Sequence, residues 1–141
     1  DLIYPFKIIS ENLRLSVNDL NAEGRARVFT DLSNNRLDEF EKLVAKKEYS
    51  KITQTLDQMV SMQKRALISI EQARGRGSQI IVLLSSLESS LQKQQDTLKR
   101  LYFEVTPEIY EVLDKVIAST QENLDHVNAN LSSYGQKSSG R

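Results

Sequence analysis

Apolar residues recur at spacings of three and four along four long stretches of the chain, and each stripe is broken near its middle by a polar residue. The stripes are Phe29, Leu32, Arg36, Phe40, Leu43; Ile52, Leu56, Met59/Val60, Gln63, Leu67, Ile70; Ile80, Leu84, Leu87, Leu91, Gln94/Gln95, Leu98, Leu101; and Ile109, Leu113, Val116, Thr120, Leu124, Val127, Leu131. Such spacing places each set on one side of a helix, and no alternating strand pattern competes with it. The prediction is an all-α protein, an antiparallel up-down four-helix bundle of long helices with a short additional N-terminal helix.

Boundary signals divide the chain accordingly. Tyr4-Pro5-Phe6-Lys7 opens the short helix, with Phe6, Ile9, Leu13 and Val17 at helical spacing and proline's fixed φ suited to a first turn. Asn21 is placed to cap the first long helix, with Glu23 in its first turn and an end near Lys47. Ser50 is the expected cap of the next, which runs to about Ala73, and the brief joint Glu48-Tyr49-Ser50 forces antiparallel neighbours. Arg74-Gly75-Arg76-Gly77-Ser78 offers two glycines able to take positive φ and a serine cap for a helix reaching about Phe103. Thr106-Pro107-Glu108 is the sharpest start, with Pro107 at the first helical position, and the last helix is expected to end near Ser133. Residues 1–133 thus read as one domain, and 134–141 as a flexible tail or linker.

Composition narrows the chemistry. The 141 residues are 39% apolar and only 6% aromatic, with no Trp, so the core is built from Leu, Ile and Val. Lys plus Arg equals Asp plus Glu at 19 each, which leaves no excess positive field for a nucleic acid. Cysteine is absent, which excludes disulfides, thiolate metal sites and cysteine nucleophiles. No apolar run approaches the roughly 20 residues that span a bilayer. The chain begins at Asp1, which suggests a processed or excised form.

Helices of similar length joined up-down-up-down bring Arg36, Gln63, Gln94, Gln95 and Thr120 to one height. Such a layer fixes register, because slippage would leave buried polar groups unpaired at about 1–3 kcal/mol each. Alternatively Arg36 and the amides hold a small anion or polar ligand, or Arg36 leans out along its stem. Catalysis finds little to use. The single histidine, His126, lies beside Asp125 but off the stripe, and the serine pairs Ser85-Ser86 and Ser89-Ser90 have no base placed to activate them. The Arg74–Gly77 loop could grip a phosphate but lacks the lysine and preceding strand of a phosphate-binding loop. No metal or cofactor is expected. The N-terminal segment is more apolar than one buried face needs, so Ile3, Tyr4, Phe6 and Ile9 form either a lid over the bundle's open end or a surface for a partner protein or membrane.

Tyr4-Pro5-Phe6-Lys7, then Glu11, then a helix bearing Arg25, Arg27, Asp31-Leu32 and Asn35-Arg36-Leu37-Asp38-Glu39, resembles a bacterial domain family of unknown function. Its members open with Tyr-Pro-apolar-Lys and continue with an acidic, arginine-bearing helix similar to leucine-alanine-glutamate-arginine-arginine-leucine-x-glutamate. Only about the first 45 residues carry recognisable identities, although helix order and length agree over most of the chain. The resemblance implies an extracytoplasmic domain following a signal or membrane-spanning segment, in some members downstream of an anti-sigma-type segment. It carries over no catalytic residues. Asn34 and Asn35 stand where the family usually has an acid or arginine, which puts charge pairing there in doubt. Within this frame Arg36 is expected to pair with Glu11, tying the first helix to the second, and Lys7 with Asp38.

The resulting expectation is a non-enzymatic extracytoplasmic interaction or sensing domain in the periplasm or at the cell surface. Its partner is a protein, and any membrane contact comes through a segment outside this chain. The alternatives are a cell-envelope scaffold, or a small-ligand or anion receptor built on the polar layer.

Overall fold

The computed structural model describes Val17 and residues 19–139, with side chains through Gly135. It is all-helical, and four long helices account for most of it: α1 (Ala22–Ala45), α2 (Ile52–Gln72), α3 (Gly77–Leu101) and α4 (Tyr110–Ser139). No strand occurs among the described residues. The expected N-terminal helix, with Ile3, Tyr4, Phe6, Lys7, Ile9 and Glu11, lies outside the described residues apart from Val17.

The helix ends follow local chemistry, partly as expected. The Asn21 side chain accepts a 2.8 Å bond from the Gly24 amide and caps α1. The end of α1 turns on Lys47, whose φ of 58° makes it the only described non-glycine residue in the left-handed region. Lys47 N donates to Val44 O and Glu48 N to Leu43 O, the paired bonds of a Schellman end. Ser50 does not cap α2: it sits in a 3₁₀ turn, Tyr49–Lys51, whose backbone bond from Ile52 N to Tyr49 O continues directly into the helix. Ser78 likewise lies inside α3, which starts one residue earlier, at Gly77. The amides of Gln79 and Ile80 bond Arg76 O there, and no described glycine takes positive φ. Pro107 opens a 3₁₀ turn, Pro107–Ile109, that leads into α4. The last helix continues to Ser139, past the expected end at Ser133.

α1 lies most extensively against α2, and α3 against α4. Further contacts join α1 to α3 and α2 to α4. Along the first pair, Arg25 reaches Gln72 and Arg36 reaches Gln58. The core falls into two clusters. One gathers Leu37, Phe40, Leu43, Ile52, Leu56, Met59, Leu98, Leu113 and Val116. The other gathers Ala26, Ala66, Leu67, Ile70, Ile80, Leu84, Leu87, Leu91, Leu124 and Val127.

The stripes of α2, α3 and α4 are buried as expected, except that Val60 and Leu131 are half-buried. The α1 stripe departs. Its buried face is Ala26, Thr30, Ser33, Leu37, Phe40, Leu43 and Val44, so Phe40 and Leu43 of the expected stripe are buried, whereas Phe29, Leu32 and Arg36 turn to the side and are half-buried. Small residues let α1 approach its neighbours closely. Thr30 Oγ1 donates to Ala26 O and Ser33 Oγ to Thr30 O, so burying these hydroxyls leaves no donor unpaired.

Candidate functional site

Between the two core clusters lies a layer of neutral polar side chains drawn from all four helices. Gln63 of α2 is fully buried, and its amide donates to Gln94 Oε1 of α3 at 2.7 Å and to Thr120 Oγ1 of α4 at 3.1 Å. Asn123 of α4 donates back to Gln63 Oε1 at 2.9 Å. Gln94 carries the network to α1, donating to Ser33 Oγ and to Asn34 Oδ1, both at 2.9 Å. Asn34 in turn donates to Ser90 Oγ at 3.0 Å.

Three of the expected residues therefore meet: Gln63, Gln94 and Thr120. Gln95, the next residue along α3, serves a separate contact with α4, donating to Ile117 O at 3.0 Å and to Gln121 Oε1 at 3.2 Å. Its Oε1 is the one buried side-chain polar atom without a partner among the described residues. Arg36 turns along the α1–α2 seam, where it donates to Gln58 Oε1 at 3.0 Å and pairs with Glu39 at 2.8 Å. Burial pushes its pKa down and the Glu39 charge opposes that shift, and the guanidinium stays charged at any ordinary pH. The pairings expected of Arg36 with Glu11 and of Lys7 with Asp38 involve residues outside those described.

Ser33, Asn34 and Asn123 complete the layer without having been singled out from the sequence. Asn123 carried a usable signal, one helical turn after Thr120 on the same face. Ser33 carried none, because a serine beside Leu32 reads as the flank of an apolar stripe.

Elsewhere the candidate chemistry is sparse. His126 is exposed, and no group of three His, Cys, Asp or Glu side chains among the described residues could hold a metal. At the Arg74–Gly77 loop, a Cβ on Gly75 would lie 2.6 Å from Glu23 Oε1 and 2.7 Å from Gln79 Oε1. A carboxylate thus already stands where an anion would approach, which opposes phosphate binding there. No helix of the described residues is long and apolar enough to cross a membrane.

A feature the stripes did not disclose is a ring cluster at the α3–α4 turn. Tyr102 and Tyr110 stack with centroids 4.8 Å apart, and Phe103, 81% exposed, meets both rings edge-on. Tyr102 OH donates to Asp114 at 2.8 Å, and this bond raises the Tyr102 pKa above its ordinary 10.0.

Fold and site together define an all-helical domain organised about a neutral hydrogen-bonded layer. The chain belongs to the family described as domain of unknown function DUF5667, which matches residues 1–133. No curated protein and no solved structure matches it.

Proposed function

We propose that this chain is a non-catalytic helical interaction or sensing domain of a bacterial envelope protein, displayed outside the cytoplasm and tethered to the membrane through a segment beyond this chain. In this reading the four helices run up-down-up-down, and residues 2–17 add a short N-terminal helix. The reversed numbering of the Arg25–Gln72 and Arg36–Gln58 contacts supports that topology.

The observation that carries the functional reading is the closure of the polar layer. Gln63, Gln94, Thr120, Asn123 and Ser33 spend their hydrogen bonds on one another, so a ligand entering would have to replace bonds already made. That favours register over a small-ligand receptor, and it moves recognition to the surface, where Phe103 presents a bare ring.

The test places a photo-crosslinking residue at position 103 of the full-length protein in its own cells, with exposed Ser86 as the comparison site. A discrete protein adduct from position 103 alone supports the reading, and equal or no adducts from both overturn it. Protease added to intact cells reads the location, since an exported domain is cut without lysis. Concentration-dependent self-association in sedimentation would instead promote the envelope scaffold, and a thermal shift with small anions the receptor.

A further inference from the structure

The connection between α2 and α3, residues 73–76, is unlike the other described turns. Ala73 and Arg76 are extended, with ψ of 138° and 150°, and Arg74 and Arg76 are exposed. Arg74 O accepts no backbone hydrogen bond among the described residues, whereas Arg76 O accepts from Gln79 N at 3.0 Å and from Ile80 N at 3.1 Å. Every other described lysine or arginine lies in a helix or 3₁₀ turn, or at the end of α1, where Lys46 is helical and Lys47 left-handed. The α3–α4 turn is extended at Val105 and Thr106 but carries no lysine or arginine between Arg100 and Lys115.

A protease draws its substrate into an extended strand and presents one carbonyl to its oxyanion donors. It therefore needs an extended backbone, a free carbonyl and the right side chain at the bond. Residues 73–76 offer the first, and within them Arg74 offers the other two; at Lys47 the left-handed backbone turns the chain the wrong way. We propose that the Arg74–Gly75 bond is a processing site for an arginine-directed protease of the trypsin class, and that cutting it leaves the α1–α2 and α3–α4 pairs still joined. Water adds across the amide: the C–N bond breaks, the new C–O bond leaves a carboxylate on Arg74, and the nitrogen takes a proton to become the amino terminus of Gly75. The guanidinium matches the carboxylate in the specificity pocket of such a protease, and Gly75 brings no Cβ to obstruct its cleft.

Two side chains cover the bond. A Cβ on Gly75 would lie 2.6 Å from Glu23 Oε1 and 2.7 Å from Gln79 Oε1, so both must swing aside before the strand is taken up. Once cut, the pairs do not come apart. The bonds of Gln63 with Gln94, Thr120 and Asn123, and of Gln94 with Ser33 and Asn34, all run from one pair to the other. Each core cluster also takes residues from both pairs. Hydrolysis thus removes the covalent link and keeps the packing, turning a one-chain fold into a two-chain assembly whose stability depends on concentration. The inference stands apart from the preceding reading, because the bond is the same whichever compartment holds the domain.

Trypsin added sparingly to the folded full chain tests the assignment, with the cuts read by mass spectrometry. The first internal cut is expected after Arg74, slowed at least about tenfold by Arg74→Gln, little changed by Arg76→Gln and speeded by Glu23→Ala. A first cut after Lys46, Lys47 or Arg76, or trimming at Lys7 and Arg14 alone, overturns it. The nicked protein should elute as one species, melt at a concentration-dependent temperature and separate into two pieces in urea. Separation without denaturant overturns the joined state. In cells making the full-length protein, a fragment beginning at Gly75 and absent from Arg74→Gln is expected, and the intact chain alone overturns the processing role.

Discussion

Lys47 holds the left-handed conformation that helix ends usually assign to glycine, and it does so at the position where the two Schellman bonds close α1. A side chain there crowds its own carbonyl, so Lys47→Gly should stabilise the domain by about 0.5–1 kcal/mol after allowing for glycine's looser unfolded state. Chemical denaturation checks this, and a loss of stability would show that the lysine side chain makes an offsetting contact. Tyr102 gives a pH prediction. Because the Asp114 bond favours its protonated form, its stabilising contribution is complete below the ordinary tyrosine value of 10.0 and is lost as pH rises through its own higher pKa. Ultraviolet titration should show one tyrosine ionising above that value, and Asp114→Ala should bring it back down. A neutral side chain at 114 that left the titration unchanged would mean the bond is not made in solution.

At the scale of the helices, α2, α3 and α4 were legible because their buried faces are runs of Leu, Ile, Val and Met at spacings of three and four. α1 was legible as a helix but not in its facing. Its buried face uses Ala26, Thr30 and Ser33, and a stripe search weighted by apolar size selects Phe29 and Leu32 instead. The missing information was that a serine or threonine can bury cheaply by bonding its own helix. Capping was read from residue type, and it succeeded at Asn21 but failed at Ser50, Ser78 and Thr106, whose side chain makes no cap bond; backbone turns supply the first bonds at these three starts. The run of α4 past Ser133 has a physical reason in Tyr134, which packs on the second core cluster. That contact also touches the start of α3, where a Cβ on Gly77 would meet the Tyr134 ring at 3.8 Å. Gly77→Ala should therefore raise stability by about 0.4–1 kcal/mol through unfolded-state entropy without a clash. If Tyr134→Ala abolishes that gain, thermal melts will have shown that the two helix ends cooperate.

For the whole molecule, the amide layer makes the domain two apolar cores joined by a polar floor. Of the residues expected in that floor, Gln63, Gln94 and Thr120 were readable because a polar residue interrupting each apolar stripe at equal height can bury only with partners. Ser33 and Asn123 were not, since which hydroxyl or amide completes the set depends on helix rotation. The layer's members are unequal. Gln63→Leu strands the Gln94 carbonyl, the Thr120 hydroxyl and the Asn123 amide together and should cost about 3 kcal/mol. Gln95→Met removes an amide whose oxygen has no partner, and the Ile117 carbonyl it leaves keeps its helical bond, so the change should stay within about 1 kcal/mol of neutral. Equal losses in urea melts would mean that an ordered water completes Gln95. Because the layer interrupts apolar contact between the clusters, it should also be the boundary between two units of local opening. Native-state hydrogen exchange should give the Ala66–Ile70, Ile80–Leu91 and Leu124–Val127 amides one common opening free energy and the Leu37–Val44, Ile52–Met59 and Leu113–Val116 amides another. Replacing Gln63, Gln94, Thr120 and Asn123 together by apolar residues of similar volume should merge the two values, because one continuous core then opens as one. A single opening free energy across the natural chain would show instead that the hydrogen bonds of the layer couple the halves as tightly as apolar packing does.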